Sequence, residues 1–236
     1  MAALIAAGNP LLARVTCASI VDAVGRQHAH RSHIVDLVTP SPGRALFGPA
    51  ATIAFLPLRR DIFDPVRNDF ARLFYEALGD SGLGKVLVIS SNGHPDVSLG
   101  GARKLSRVEN NHLEGVLCDG RLRDFAGLAG YDFATYCTGE AVQAGGNDVM
   151  PYEANVPVVV GGVAVFPGDY VYADSSGAVV IPSAHVEATL QEAARIEEQD
   201  AASVESIRFE DQELVMREGS PRPSGGSTGQ RVSHTV

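Results

Sequence analysis

Two short apolar runs constrain this chain more than anything else in it. Lys85–Ser91 (KVLVISS) and Val116–Cys118 are continuously apolar at their centres and too short for buried helices, so each reads as a strand covered on both faces. Between them Gly100-Gly101 precedes a helical stretch that reaches towards Asn111. Strand, helix and strand in that order predict a parallel βαβ unit, and hence an α/β domain.

The second run ends in Asp119-Gly120, a turn signal, followed by Arg121-Leu122-Arg123-Asp124. Charged groups just past a core strand stand where α/β proteins commonly keep their ligand sites. Arg123 is suited to gripping a carboxylate through two parallel hydrogen bonds. Asp124 is suited to a hard divalent cation or to work as a base. A plain surface salt bridge explains the same residues equally well. The paired glycines also leave free N–H groups at a helix start, where an anion can sit, or they form an ordinary turn.

The rest of the chain supplies flanking helices and a β-rich second half. Thr16–Gly25 predicts a helix capped by Thr16 or Ser19 and stopped at Gly25, with Asp22 on its solvated face. Ala50–Leu56 predicts a strand and Arg59–Asp64 a charged loop. Pro65–Gly79 predicts a helix whose stripe of Phe70, Leu73, Phe74 and Leu78 faces the core. After Asp124, short β segments at Thr135–Cys137, Val158–Val160, Val163–Val165, Tyr170–Ala173 and Val179–Ile181 alternate with turns, a spacing that suits antiparallel strands. Ser183 to about Ile207 returns to helix, with Val186, Leu190, Ala194 and Ile196 inward. One domain over 1–216 and a flexible tail over 217–236 follow from this pattern.

Composition narrows the function classes. The chain has 236 residues, 45% hydrophobic, which is ample for a sizeable core. A net charge of −9 argues against a nucleic-acid partner. Three widely separated cysteines make neither a disulfide framework nor a zinc pattern, and Cys17 and Cys118 read as small core residues. The apolar start at Met1–Gly8 lacks a basic leader and is far too short for a membrane span. The expectation is a cytoplasmic protein with no membrane partner.

Four fragments in order then carry a resemblance: Gly48-Pro49-Ala50, Gly115–Asp124, Pro167–Asp174 and Gly177–Pro182. Together they resemble the RraA-like family, over about Thr16 to Glu198. That family includes 4-hydroxy-4-methyl-2-oxoglutarate/4-carboxy-4-hydroxy-2-oxoadipate aldolases and the regulator of RNase E activity. The resemblance implies a swivelling β/β/α domain with flanking N- and C-terminal helices, assembled into homotrimers or hexamers. It implies a lyase that breaks a carbon–carbon bond of a small 2-oxo acid, by retro-aldol cleavage or oxaloacetate-type decarboxylation, with Mg²⁺ or Mn²⁺. Carried over by motif, Arg123 and Asp124 are catalytic, Arg123 holding the substrate and Asp124 ligating the metal. The backbone around Gly101, Ala102, Arg103 and Lys104 would cradle the substrate carboxylate. The match departs at Ala102, which stands where the aldolase pattern has an acid that holds metal-bound water. His94, Asp96 or Glu109 are candidates to compensate. A further carboxylate from a neighbouring subunit's C-terminal helix would fall near Glu197 or Glu198. Two alternatives accompany this reading. In one, Arg103, Lys104 and Arg123 form a metal-free cationic pocket with changed chemistry. In the other, the protein is a non-enzymatic regulator that binds a protein. His94 and His112 read as loop residues, and Asp174 as a turn anchor.

Overall fold

The computed structural model describes residues 8–94 and 96–219. A 3-10 turn at Pro10–Arg14 leads into α1 (Cys17–Gln27). Its cap is reciprocal: the Thr16 side chain accepts the Ser19 N–H, and the Ser19 hydroxyl accepts the Thr16 N–H. Then follow β1 (His33–Ile34), β2 (Leu46–Pro57), α2 (Phe70–Leu78), β3 (Val86–Ser90), β4 (Ser98–Gly100) and α3 (Ala102–Asn110). The middle of the chain gives β5 (Gly115–Cys118), β6 (Arg121–Leu122), α4 (Phe125–Leu128), β7 (Ala134–Tyr136) and β8 (Gly139–Glu140). The remainder gives β9 (Val149–Ala154), β10 (Val158–Val160), β11 (Val163–Val165), β12 (Tyr170–Asp174), β13 (Gly177–Ile181), α5 (Val186–Ile207) and α6 (Gln212–Glu218).

The main sheet runs β1-β13-β12-β2-β3-β5-β7, with β9 paired to the far end of β2. Its centre, β2-β3-β5-β7, is parallel, and β12, β13 and β1 extend it antiparallel from β2. β3 and β5 are buried throughout, as their apolar runs require. Alternation decides which layer each residue joins. Leu87, Ile89, Val116 and Cys118 pack towards Phe74, Leu105 and Leu128, whereas Val86, Val88 and Leu117 pack on the opposite face with Val160 and Val171. A third apolar cluster lies under α1 and α5, where Ile20, Val24, Leu190 and Ala193 meet Tyr172 and Val179. Val186, Leu190, Ala194 and Ile196 all point into it, as the helical spacing requires. The architecture is α/β with helices at both ends of the domain.

Several boundaries differ from the sequence expectation. α1 does not stop at Gly25: it continues to Gln27, and the His28 N–H still reaches the Val24 carbonyl. β2 starts at Leu46 rather than Ala50 because its first residues pair with β12, which local pattern does not reveal. α2 starts at Phe70, after an Asp69 cap, and not at Pro65. The intervening residues are held in turns, with Asp64 Oδ1 accepting the N–H groups of Val66 and Arg67. Thr135–Tyr136 belongs to a strand parallel to β5, not antiparallel. The stretch before α3 includes a short strand, β4, rather than only a glycine turn. Asp174 does anchor a turn, accepting the Ser176 N–H, and its other oxygen accepts the Cys17 N–H at the start of α1. The helical order of α6 carries to Glu218, and the tail expectation for 220–236 lies outside the described residues, as does that for Met1–Ala7.

At Gly115 the backbone of β7 comes close to β5. A Cβ at this position would lie 2.0 Å from the Ala134 carbonyl oxygen and 2.6 Å from Leu46 Cδ1. Gly115→Ala should therefore lower stability by about 2–3 kcal/mol through backbone displacement. Urea unfolding checks this, and an unchanged midpoint would contradict the described β5–β7 approach.

Candidate active site

The site is built where strands of the main sheet run on into a smaller one. β5 continues through Asp119-Gly120 into β6, and β7 continues through Cys137-Thr138 into β8. With β4 they form a three-stranded parallel sheet in the order β4-β6-β8. Asp119 holds the crossing point, its carboxylate accepting the N–H groups of Ser91 and Gly161. The ladder continues past the strand ends: Arg123 N–H donates to the Gly100 carbonyl at 2.8 Å, and Ala141 N–H to that of Leu122 at 2.9 Å. Three carboxyl-terminal strand ends thus bring together Gly101, the Arg123-Asp124 pair and Glu140.

Arg123, Asp124, Glu140, Ala141 and Val142 line one cavity of about 590 Å³. Arg123 is half-buried, and its guanidinium makes no hydrogen bond or ion pair among the described residues. Asp124 takes the left-handed conformation (φ 63°, ψ 47°), which aspartate tolerates better than most residues. That geometry starts α4, with Leu128 N–H donating to the Asp124 carbonyl at 2.9 Å. It also brings Asp124 against the start of α3, so that a Cβ on Gly101 would lie 2.7 Å from Asp124 Oδ2. Gly101 is the N-cap of α3, and its lack of a side chain lets the carboxylate and the helix start touch. The first-turn N–H groups of α3, at Ala102, Arg103 and Lys104, have no intrahelical carbonyl to meet.

The other expected residues divide. Ala102 lies beside the site, its carbonyl accepting the Tyr131 hydroxyl at 3.1 Å. Its methyl packs on α4, where a Cβ at Gly127 would come within 2.9 Å of it. The Arg103 side chain is exposed. Lys104 turns away: its Nζ stands 5.1 Å from the centre of the Phe70 ring. Burial, with Arg103 nearby, holds the Lys104 ammonium below its ordinary pKa. Arg121 is occupied by β8, donating to the Glu140 carbonyl at 3.1 Å. Glu109 is committed elsewhere, accepting the Asp132 N–H at 3.0 Å, and His94 and Asp96 are not among the lining residues. Glu197 accepts from the Thr16 hydroxyl and Glu198 pairs with Arg14, both within their own chain.

Glu140 is the residue that sequence reading missed. Its Oε1 accepts the Phe125 N–H at 2.9 Å, directly beside Asp124. The signal was present as Gly139-Glu140 just after an apolar strand, the same layout as Gly120-Arg121. The break into two sheets hid the correspondence. Among the described residues no group of three or more His, Cys, Asp or Glu is placed to cage a metal. The donor set does fit a hard cation such as Mg²⁺, which needs only one or two carboxylates and keeps several waters.

The α/β fold thus gathers an arginine and two carboxylates at the ends of parallel strands, around one cavity. The chain belongs to the RraA-like family (Aldolase/RraA), whose model matches residues 17–180. It is 29% identical over 143 residues to the protein DlpA of Legionella pneumophila, matching 61% of this chain and 22% of that protein. It is 29% identical over 132 residues to a putative 4-hydroxy-4-methyl-2-oxoglutarate aldolase of Halalkalibacterium halodurans, matching 56% of this chain and 62% of that protein. Both matches span less than two thirds of the relative's length. Among solved structures, Streptomyces coelicolor RraAS2, described as an unusual member of the RNase ES inhibitor RraA family, superposes with a TM-score of 0.71 at 27% identity, covering 85% of this chain and 94% of that one. Among the described residues no helix is long and apolar enough to cross a membrane.

The link between Glu140 and α4 makes a simple prediction. Glu140→Ala removes the acceptor of the Phe125 N–H and should cost about 1 kcal/mol, whereas Glu140→Gln keeps an oxygen there and should cost less than about 0.5 kcal/mol. Urea midpoints of the two variants check the difference.

Proposed function

We propose that the protein is a lyase that cleaves a carbon–carbon bond of a small 2-oxo acid, by retro-aldol cleavage or oxaloacetate-type decarboxylation, with Mg²⁺ or Mn²⁺ as cofactor. The observation that carries this reading is the unpaired Arg123 guanidinium beside two carboxylates on one cavity. Family membership and the similarity to a putative aldolase support it. The metal-free cationic alternative loses one of its three charges, because Lys104 is packed on Phe70.

Each group then has a task. Arg123 binds a substrate carboxylate through its fork of donors, and the α3 amides after Gly101 add neutral donors to the same end. Asp124 holds the divalent ion, with its oxygen kept next to the helix start by the absence of a Gly101 side chain. The ion, when bound, supplies Lewis-acid stabilisation of the negative charge that develops on the 2-oxo oxygen. The guanidinium and helix amides would hold the substrate carboxylate and so keep the reacting bond oriented while that charge grows. Val142 and Ala141 offer an apolar wall to the substrate's carbon chain.

We infer a homo-oligomer, trimer or hexamer, in a cytoplasmic setting. Exposed Val204, Ile207, Phe209 and Met216 along the end of α5 and through α6 support the first, and three free buried cysteines suit the second.

The test is pyruvate release from oxaloacetate and from 4-hydroxy-4-methyl-2-oxoglutarate with Mg²⁺ or Mn²⁺. Asp124→Asn and Arg123→Met should each lower kcat/KM by about 10²–10³, and chelation should stop turnover. Turnover that survives complete chelation removes the metal from the mechanism. Failure to release pyruvate from any 2-oxo diacid, together with capture of an RNase, would favour the regulator reading instead.

A further inference from the structure

We propose that Glu140 is the positioning carboxylate of the divalent-ion site, holding the ion's water in the place that Ala102 leaves without an acid. This deepens the lyase reading above and rests on it.

The case begins with what stands at position 102. The Ala102 methyl is packed against the α4 backbone at Gly127, and its carbonyl is taken by Tyr131. Nothing on α3 therefore brings negative charge to the cavity, and Glu109 on the same helix is bound to the Asp132 N–H instead. Asp124 alone is a thin set of charges for a cation that prefers carboxylates plus retained water.

The small parallel sheet supplies the second charge from another direction. β6 and β8 pair with Leu122 opposite Glu140, so the Glu140 side chain leaves the ladder beside the chain that goes on to Arg123 and Asp124. Three contacts fix it. Arg121 grips the Glu140 carbonyl, the Ala141 N–H reaches Leu122, and Oε1 takes the Phe125 N–H at 2.9 Å. Oε2 accepts from no residue among the described ones, and Glu140 forms no ion pair among them. The adjacent Arg121 is spent on the backbone, and Arg123 makes no ion pair. Two carboxylates thus line one cavity with no side-chain cation paired to either. A divalent ion would add countercharge there: Asp124 would ligate it, and Oε2 of Glu140 would be left to accept a hydrogen bond from its water.

The Phe125 contact gives Glu140 a structural duty as well, and the substitution must separate the two. Glu140→Gln keeps an oxygen for the Phe125 N–H but removes the charge. The experiment titrates the full-length protein with Mn²⁺, reading free Mn²⁺ by electron paramagnetic resonance, with and without oxalate as a mimic of the 2-oxo acid. Wild type should bind, Asp124→Asn should lose binding, and Glu140→Gln should weaken Mn²⁺ by about 10- to 100-fold with a urea midpoint closer to wild type than that of Glu140→Ala. If Glu140→Gln binds as wild type does while Asp124→Asn fails, the role of Glu140 is overturned and the lyase reading stands. A Glu140→Gln loss that comes with a urea midpoint lowered as far as that of Glu140→Ala assigns Glu140 to α4 and also overturns the proposal. A wild-type protein that retains no Mn²⁺ even with oxalate overturns the metal reading and this inference with it.

Discussion

Burial of β5 on both faces is the constraint from which the rest of the structure follows. With Val116 and Cys118 in one core and Leu117 in the other, the strand has no freedom of register or depth. Its neighbours on either side are parallel, so the chain must leave each strand at the same edge of the sheet. Asp119 then ties that edge together by accepting backbone N–H groups from Ser91 and Gly161. Whatever comes after β5 and β7 is delivered to one place, and what comes after them is charged.

That delivery explains a pocket made of very few residues. No lining side chain comes from the helical layer itself. The two carboxylates reach the cavity on separate strand exits, and Glu140 accepts the N–H of Phe125, the residue after Asp124. Arg121 and Arg123 differ by two positions and have opposite fates. One points along the ladder and is consumed by the Glu140 carbonyl, and the other is left unpaired at the cavity. Arg121 lies within β6, beside β8, whereas Arg123 lies past the end of the strand, where no residue of β8 meets its guanidinium.

Much of this was legible in the sequence, and the reasons for the gaps are physical. The buried strands, the βαβ unit and the inward face of α5 follow from periodicity, which survives into the fold because burial enforces it. Arg123 and Asp124 were legible because a turn after an apolar strand must present its next residues. Glu140 was not, since β8 is two residues long and exists only by pairing with β6. The fate of Lys104 was equally hidden, because it depends on Phe70, thirty-odd positions away on another helix. The start of α2 was misjudged where Asp64 side-chain hydrogen bonds compete with the helix, a contest that propensity alone does not decide.

The link between Cys17 and Asp174 bears on how the chain is made. Their hydrogen bond closes a sequence separation of 157 residues, and α1 rests on β13 and α5, which lie far along the chain from it. α1 must therefore wait for β13 and α5 before its apolar face is covered. A chain organised this way folds slowly through non-local contacts and leaves that face open to other proteins in the interval. Newly made α1 is thus the segment on which a chaperone has the longest opportunity to act.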